Sequence, residues 1–202
     1  MINTKLSVIF MYGGRPYLER ICRDFLKESL GDYPYKFIDL DCSNLTIGAG
    51  FNRLVEQVKT EYVLYTMDDF AFFPNGNWVE KAIRLLELKK DIGIITLRKE
   101  RDNQGPYMTD RRVMIENISY YIVKHWGDRD WHFSPFIMRT ADLKKVVPLN
   151  EKDPHGNIAE ASGVENFKKV GLLDARLDIP YLGVCFHLGW NRSKARGYKE
   201  KL

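Results

Sequence analysis

Short, nearly continuous apolar runs alternate along the first half of this chain with longer stretches whose apolar residues recur every third or fourth position. Leu6 to Met11, Phe37 to Leu40, Tyr62 to Met67 and Ile92 to Leu97 are of the first kind, the pattern of strands buried on both faces of a largely parallel sheet. The stretches between them read as helices. Pro16 suits a first helical position, Leu18, Ile21, Cys22, Phe25 and Ser29 share one face, and Gly31 ends that segment. A glycine-containing turn at Gly48 and Gly50 leads into a short helix with Phe51, Leu54, Val55 and Val58 on one side and Glu56 and Lys59 on the other. Asn77, with Glu80 three residues on, predicts a capping-box start for a helix from Trp78 to Lys89, whose stripe is Val79, Ala82, Ile83 and Leu86. Strands alternating with helices predict an α/β fold with helices on both faces of the sheet.

The second half is less regular. Arg98 to Arg112 is polar and turn-rich, with Asp102, Asn103, Gly105 and Pro106, and reads as a long loop over the site. Tyr120 to Val123 and Phe133 to Arg139 are expected strands, the latter running into a helix from Ala141 to Val147 that Thr140 caps and Pro148 stops. A helix from Ala159 to Val170 follows, then strands at Leu177 to Tyr181 and Gly183 to Phe186.

Composition narrows the class. A chain of 202 residues is one ordinary α/β domain. We expect it to span residues 1–190, followed by a basic tail, 191–202, carrying Arg192, Lys194 and Arg196. The net charge of +4 is spread over 29% charged residues without a dense Lys/Arg stripe, which argues against a nucleic-acid partner. Cys22, Cys42 and Cys185 are odd in number and lack metal-ligand spacing, so they read as reduced core residues in a reducing compartment. No apolar run approaches the roughly 18 residues that span a bilayer, and no signal-peptide pattern opens the chain. The expectation is a cytoplasmic protein, at most peripheral to a membrane. The oligomeric state is not readable.

The chemistry gathers around Asp68 and Asp69. Two carboxylates released at the carboxyl end of a buried strand lie where open α/β sheets bind ligands, and hard oxygen ligands suit Mg²⁺ or Mn²⁺ holding a diphosphate. Asp41 closes the second strand. Read from its own neighbours, it can cap an Asx-turn. Of the acids in the Ala159–Val170 helix, Glu165 shares its face with Lys168 and Lys169 and reads as solvated. Glu160 lies in the first turn on the face of Val164 and Phe167, where an acid is costly unless it is used or paired.

The stretch GAGFNRLVEQVKTEYVLYTMDDFAFFP, Gly48 to Pro74, resembles the central motif of GT-A-fold nucleotide-sugar glycosyltransferases, especially the inverting, family-2-like ones. Asn52 matches the family Asn, Glu61-Tyr62 the Glu-Tyr, and Met67-Asp68-Asp69 falls on the Asp-x-Asp triplet, with Met67 in place of its first acid and Phe51 in place of the family Arg. Arg15, Pro16 and Leu18 reproduce the family's Arg-Pro-x-x-Leu helix start, and His187-Leu188-Gly189 resembles the His-x-Gly that closes its catalytic domain. The resemblance implies a single-domain, three-layer α/β/α sandwich around a mostly parallel mixed sheet. It implies a nucleotide-sugar donor met by Tyr12, Arg15, Asp41, Asn52 and Asp68, a divalent metal, Mn²⁺ or Mg²⁺, on Asp69 and His187, and Glu160 as general base toward a glycan or other hydroxyl acceptor. Trp131 and His132 are weaker acceptor-side candidates, whereas His125 and His155 have no such support.

Two other readings stay open. Gly48-x-Gly50 before a helix, a strand and an acid approaches a dinucleotide fingerprint, but Arg53 stands at the third glycine and Cys42 to Ile47 separate strand from glycines. A nucleotide-sugar-binding protein without turnover is the non-enzyme alternative, with Met67 as its best support. Retaining transfer is also open.

Overall fold

The strand Leu6–Tyr12 (β1) sends Leu6, Val8 and Phe10 into one apolar cluster and Ile9 and Met11 into another, so the sheet has a core on each face. The computed structural model describes residues 4–74, 77–97, 112–123, 133–152, 157–179 and 184–188. Helix α1 (Pro16–Leu30) follows β1, then β2 (Tyr35–Asp41), α2 (Ile47–Gln57), β3 (Tyr62–Met67), β4 (Phe70–Phe72), α3 (Trp78–Leu88) and β5 (Ile92–Thr96). The second half supplies β6 (Arg112–Ile115), β7 (Ile118–Ile122), β8 (Phe136–Arg139), α4 (Thr140–Val146), α5 (Asn157–Val170), β9 (Leu173–Leu177) and β10 (Cys185–His187). Eight strands form one sheet in the order β2-β1-β3-β8-β5-β9-β7-β6, and β10 pairs with β4 apart from it.

Side chains of α1 and α3 fill one cluster and those of α2, α4 and α5 the other, which makes the three layers. The sheet is mixed. β1 runs parallel to both β2 and β3, and β5 to β9. The pairings of β8 with β3 and β5, and of β7 with β6 and β9, are antiparallel. Parallel pairing therefore dominates the first part of the chain and antiparallel pairing the second. Because β1 is flanked by β2 on one side and β3 on the other, the winding reverses beside it, and a crevice opens at the carboxyl ends of β1 and β3.

Several local expectations are corrected. The glycines near position 50 make no turn: α2 begins before both, with Thr46 as its N-cap, whose hydroxyl accepts from Ala49 N. They lie buried inside the helix, and a Cβ on Gly48 would come within 2.1 Å of the Asn150 carbonyl oxygen, one on Gly50 within 2.4 Å of Cys42 Sγ. Close packing, rather than backbone freedom, requires them there. In α1 the buried residues are Cys22, Leu26, Ser29 and Leu30, while Phe25 is 41% exposed, so the inward face is rotated by about one residue from that expected. Neither Asn77 nor Arg139 caps through its side chain, and Thr140, expected as a cap, is already inside α4 with its hydroxyl buried and without a hydrogen-bond partner among the described residues.

β4 and β6 were not foreseen. Arg112, expected at the end of a loop, opens β6, and the β6–β7 hairpin turns at Glu116-Asn117 with Glu116 at φ 51°, without the glycine that usually marks such turns. The strand expected at Leu177 to Tyr181 lies earlier, at Leu173–Leu177, and 177–179 continue past it. Residues 98–111 of the expected loop, together with His125, Trp131, His132, His155 and the tail 191–202, are outside the described residues. Among the described residues no helix is long and apolar enough to cross a membrane, and none of the three cysteines is joined in a disulfide.

Candidate functional site

Asp68 and Asp69 form the turn between β3 and β4, directly at the crevice. The floor beneath them is aromatic. Tyr65 meets Phe51 edge-on at 5.0 Å, and Phe136 and Phe133 complete the group at 5.2 and 6.1 Å from Tyr65. Each such pair adds about 0.5–1.5 kcal/mol beyond its burial, so the end of β3 is rigidly seated. The main chain is fixed as well: Asp68 N donates to Met11 O at 3.0 Å and Leu188 N to Asp69 O at 2.7 Å.

Both acids are buried, with 1% of Asp68 and 7% of Asp69 exposed, and ionised carboxylates at that depth require partners. Asp68 accepts from Gly13 N at 3.1 Å, from Arg15 Nε at 3.2 Å, and again from Arg15 Nη2, a bidentate fork. Asp69 Oδ2 accepts from Arg15 Nη1 at 3.2 Å and lies 3.1 Å from His187 Nε2. Burial pushes the Asp69 carboxyl up, but the hydrogen bond from His187 and the charge of Arg15 outweigh it and hold the carboxyl below its ordinary range. Burial raises Asp68, and Arg15 and the Gly13 N–H only partly pull it back. The fork keeps it an acceptor-only carboxylate at neutral pH. Arg15 is half-buried, and the two acids raise its pKa despite the opposing effect of burial.

One atom is left over. Asp69 Oδ1 is buried and has no hydrogen-bond partner among the described residues. An unpaired carboxylate oxygen beside an imidazole is a donor set that suits a divalent cation, and Mg²⁺ or Mn²⁺ sites commonly complete their shell with phosphate oxygens and water. No group of three or more His, Cys, Asp or Glu side chains gathers for a metal among the described residues. Asp69 and His187 are 118 positions apart in sequence, and the antiparallel pairing of β10 with β4 joins them, His187 lying opposite Phe70.

The other expected residues divide. Tyr12 and Asp41 are register partners at the carboxyl ends of β1 and β2, side by side at the rim. Asp41 Oδ1 accepts from Ser43 N at 2.8 Å and Ser43 Oγ at 2.6 Å, the Asx-turn arrangement. Asn52 does not reach the crevice rim as a ligand contact: it is buried, its amide donates to Leu149 O and Glu151 Oε1, and its Oδ1 accepts from Leu149 N. Its three hydrogen bonds hold residues 149–151. Asp68, expected as a nucleotide or sugar contact, is instead enclosed by Arg15 and Gly13.

Glu160 lies in the first turn of α5, half-buried, whereas Glu165 is exposed, in line with the faces expected. Its neighbour Ala159 packs against Gly48, so the close approach of α2 and α5 sets its position. Burial and then the charges of Asp69, Asp68 and Glu160, among others, push the Tyr65 hydroxyl well up, so Glu160 acts on the same side chain as the acid pair. Cys22 Sγ donates to Asp68 O at 3.2 Å, and burial with the nearby acids pushes its thiol up to about 12, which leaves it inert. The role of Arg15 on the acids was missed. The only signal was a basic residue ahead of a helix at one switch-point strand and an acid pair after the other.

No protein-family model and no curated protein matches the sequence. Solved structures do match in fold. One is S. aureus TarS 1–349 in complex with UDP-GlcNAc, at 14% identity and TM-score 0.63 over 89% of this chain and 57% of that one. A second is the mannosyltransferase PcManGT from Pyrobaculum calidifontis with GDP-Man and Mn²⁺, at 13% identity and TM-score 0.62 over 94% and 58%. A third is Drosophila beta-1,4-galactosyltransferase 7 with manganese, UDP-Gal and xylobiose, at 8% identity and TM-score 0.58 over 97% and 76%. The chain has the GT-A-type α/β fold, and it spans under two thirds of the TarS and PcManGT chains.

Proposed function

We propose that this chain transfers a sugar from a nucleoside-diphosphate sugar to an acceptor hydroxyl, with inversion and with assistance from a divalent metal. The observation that carries the reading is the Asp69–His187 pair at the switch point, with Asp69 Oδ1 buried and without a partner among the described residues, on a fold shared with three glycosyltransferases solved with nucleotide sugars. Asp69 and His187 would hold Mn²⁺ or Mg²⁺, which supplies charge neutralisation of the departing diphosphate. Tyr12 and Asp41 line the rim for base and ribose. Glu160 takes the proton of the acceptor hydroxyl; the oxygen attacks the anomeric carbon opposite the departing group, and the bond from that carbon to the diphosphate oxygen breaks. The acceptor is a glycan or another hydroxyl compound, and a site within the cytoplasm accords with the sequence.

The dinucleotide reading loses its support, because the two glycines are covered inside α2 rather than open toward a phosphate. A binding protein without turnover keeps one observation in its favour, Met67 where an acid would be expected. Thermal melting with a panel of nucleoside diphosphates and NAD, with and without Mn²⁺, tests the reading. A true ligand at a hundredfold over its Kd stabilises by about 2.7 kcal/mol. Stabilisation by NAD alone would overturn the assignment; nucleotide stabilisation with neither transfer nor donor hydrolysis would favour the binding protein.

A further inference from the structure

Five N–H groups converge on the two carboxylates, and three of them belong to Arg15. Its contacts are unequal in kind. Nε and Nη2 form a fork on Asp68, which Gly13 N also holds, whereas Nη1 makes a single 3.2 Å bond to an Asp69 oxygen that His187 shares. The fork anchors the guanidinium. The single bond is the one that another anion can replace without releasing the side chain.

Charge points the same way. Asp68, Asp69 and Arg15 together carry a net −1, and Met67 adds no further acid. A diphosphate arriving at two bare carboxylates would be repelled, but here a half-buried guanidinium already faces it, at the head of α1, whose first turn no Arg15 side-chain bond caps. Guanidinium groups bind phosphate oxygens through charge-assisted bonds as readily as they bind carboxylates.

We propose that Arg15 is a phosphate-binding residue of this site and Asp68 the residue that positions it, so that a nucleoside diphosphate binds without divalent metal when Nη1 passes from Asp69 to a diphosphate oxygen. The proposal rests on the nucleotide-sugar reading above. It makes the metal an addition to a cation already in place, rather than the sole counter-charge.

Isothermal titration of the whole protein with UDP and with GDP, each in EDTA and in Mn²⁺, tests it. Wild type binds at least one of them in EDTA. Arg15→Gln weakens that metal-free binding by about tenfold to a hundredfold, the loss of a charge-assisted bond, and Arg15→Lys restores part of it. Arg15→Gln alone leaves Asp68 buried without its counter-ion, so the pair Arg15→Gln/Asp68→Asn provides a variant in which neither charge is stranded; it shows the same loss. Asp68→Asn alone weakens EDTA binding more than Mn²⁺ binding, a split that a merely structural role would not give. Wild-type binding that appears only with Mn²⁺, or equal EDTA affinity in wild type and Arg15→Gln, overturns this proposal alone. Absence of binding by any nucleoside diphosphate in either condition overturns the nucleotide-sugar reading along with it.

Discussion

The two parts of the molecule solve different problems. In the part up to Thr96, parallel β1 and β3 are buried beneath helices, with the largely exposed β2 at the sheet edge beside β1, and the carboxyl ends of β1 and β3 hold an acid pair whose bonds are almost all internal to that part. In the part from Arg112 onward, strands are short, pairing is largely antiparallel, and the contributions to the site are single side chains delivered by position, Glu160 at the start of α5 and His187 at the end of β10. On the reading proposed above, the first part builds a binding place and the second brings chemistry to it, so damage at Arg15 and at Glu160 should separate binding from turnover.

The sharpest separation is at Glu160. Glu160→Gln retains the shape and loses the base, and transfer should fall by about a hundredfold or more while nucleotide affinity is unchanged. Glu165→Gln is the control. Initial rates with the correct acceptor decide it; an unchanged rate in Glu160→Gln would remove the second part's claim to the chemistry.

Asp69→Asn and His187→Ala test the side-chain bond by which the parts meet at this site. Each should weaken Mn²⁺-dependent nucleotide binding by about tenfold or more, given the loss of a charge-bearing or imidazole ligand. Free Mn²⁺ followed by electron paramagnetic resonance reports this without any turnover. Equal Mn²⁺ binding in wild type and both variants would leave the pair as an ordinary hydrogen bond.

The seam between the parts is steric. A methyl group at Gly48 collides with the Asn150 carbonyl, so Gly48→Ala should cost about 1–3 kcal/mol and lower the melting temperature by several degrees. Because Ala159 lies at the same contact, transfer should fall more than nucleotide binding does. A melting temperature equal to wild type would mean the seam yields freely.

The smallest effect is electrostatic and confined to the second part. Asp142 receives bonds from Arg139 at 2.5 Å and Lys145 at 2.8 Å, which outweigh its burial and hold its carboxyl below the ordinary 3.8. A depressed folded-state pKa gives stability that is present above the unfolded value and lost as pH falls through the folded one. Acid unfolding should therefore lose a contribution of about 1 kcal/mol or less below about pH 4 in wild type, and Asp142→Asn should lack that component in a series of urea melts.

The same division governs what could be read from residues alone. β1, β3, β5 and the cores of α2 and α3 follow from period and apolar runs, because burial on two faces leaves a continuous signal. β9 does not: Leu173–Leu177 reads LDARL, with buried Asp174 accepting from the Thr96 hydroxyl, so its partner across β5 and not its own pattern makes it a strand. The hairpin at Glu116 lacks a turn glycine for a similar reason, since pairing imposes the backbone. Gly48 and Gly50 misled because a glycine needed for close approach looks the same in sequence as one needed for a turn. At the site, Asp69, His187 and the inward face of Glu160 were accessible through resemblance and helix geometry. The allegiance of Arg15 to acids more than fifty positions away was not, because nothing local encodes it.

The joining of Asp69 to His187 through β4 and β10 has a consequence for biosynthesis. The two residues leave the ribosome 118 codons apart, an interval of about 6 to 24 s at the usual elongation rates. Throughout that interval the nascent chain carries an Asp69 whose imidazole partner has not yet been translated, with Arg15 already synthesised as a counter-ion.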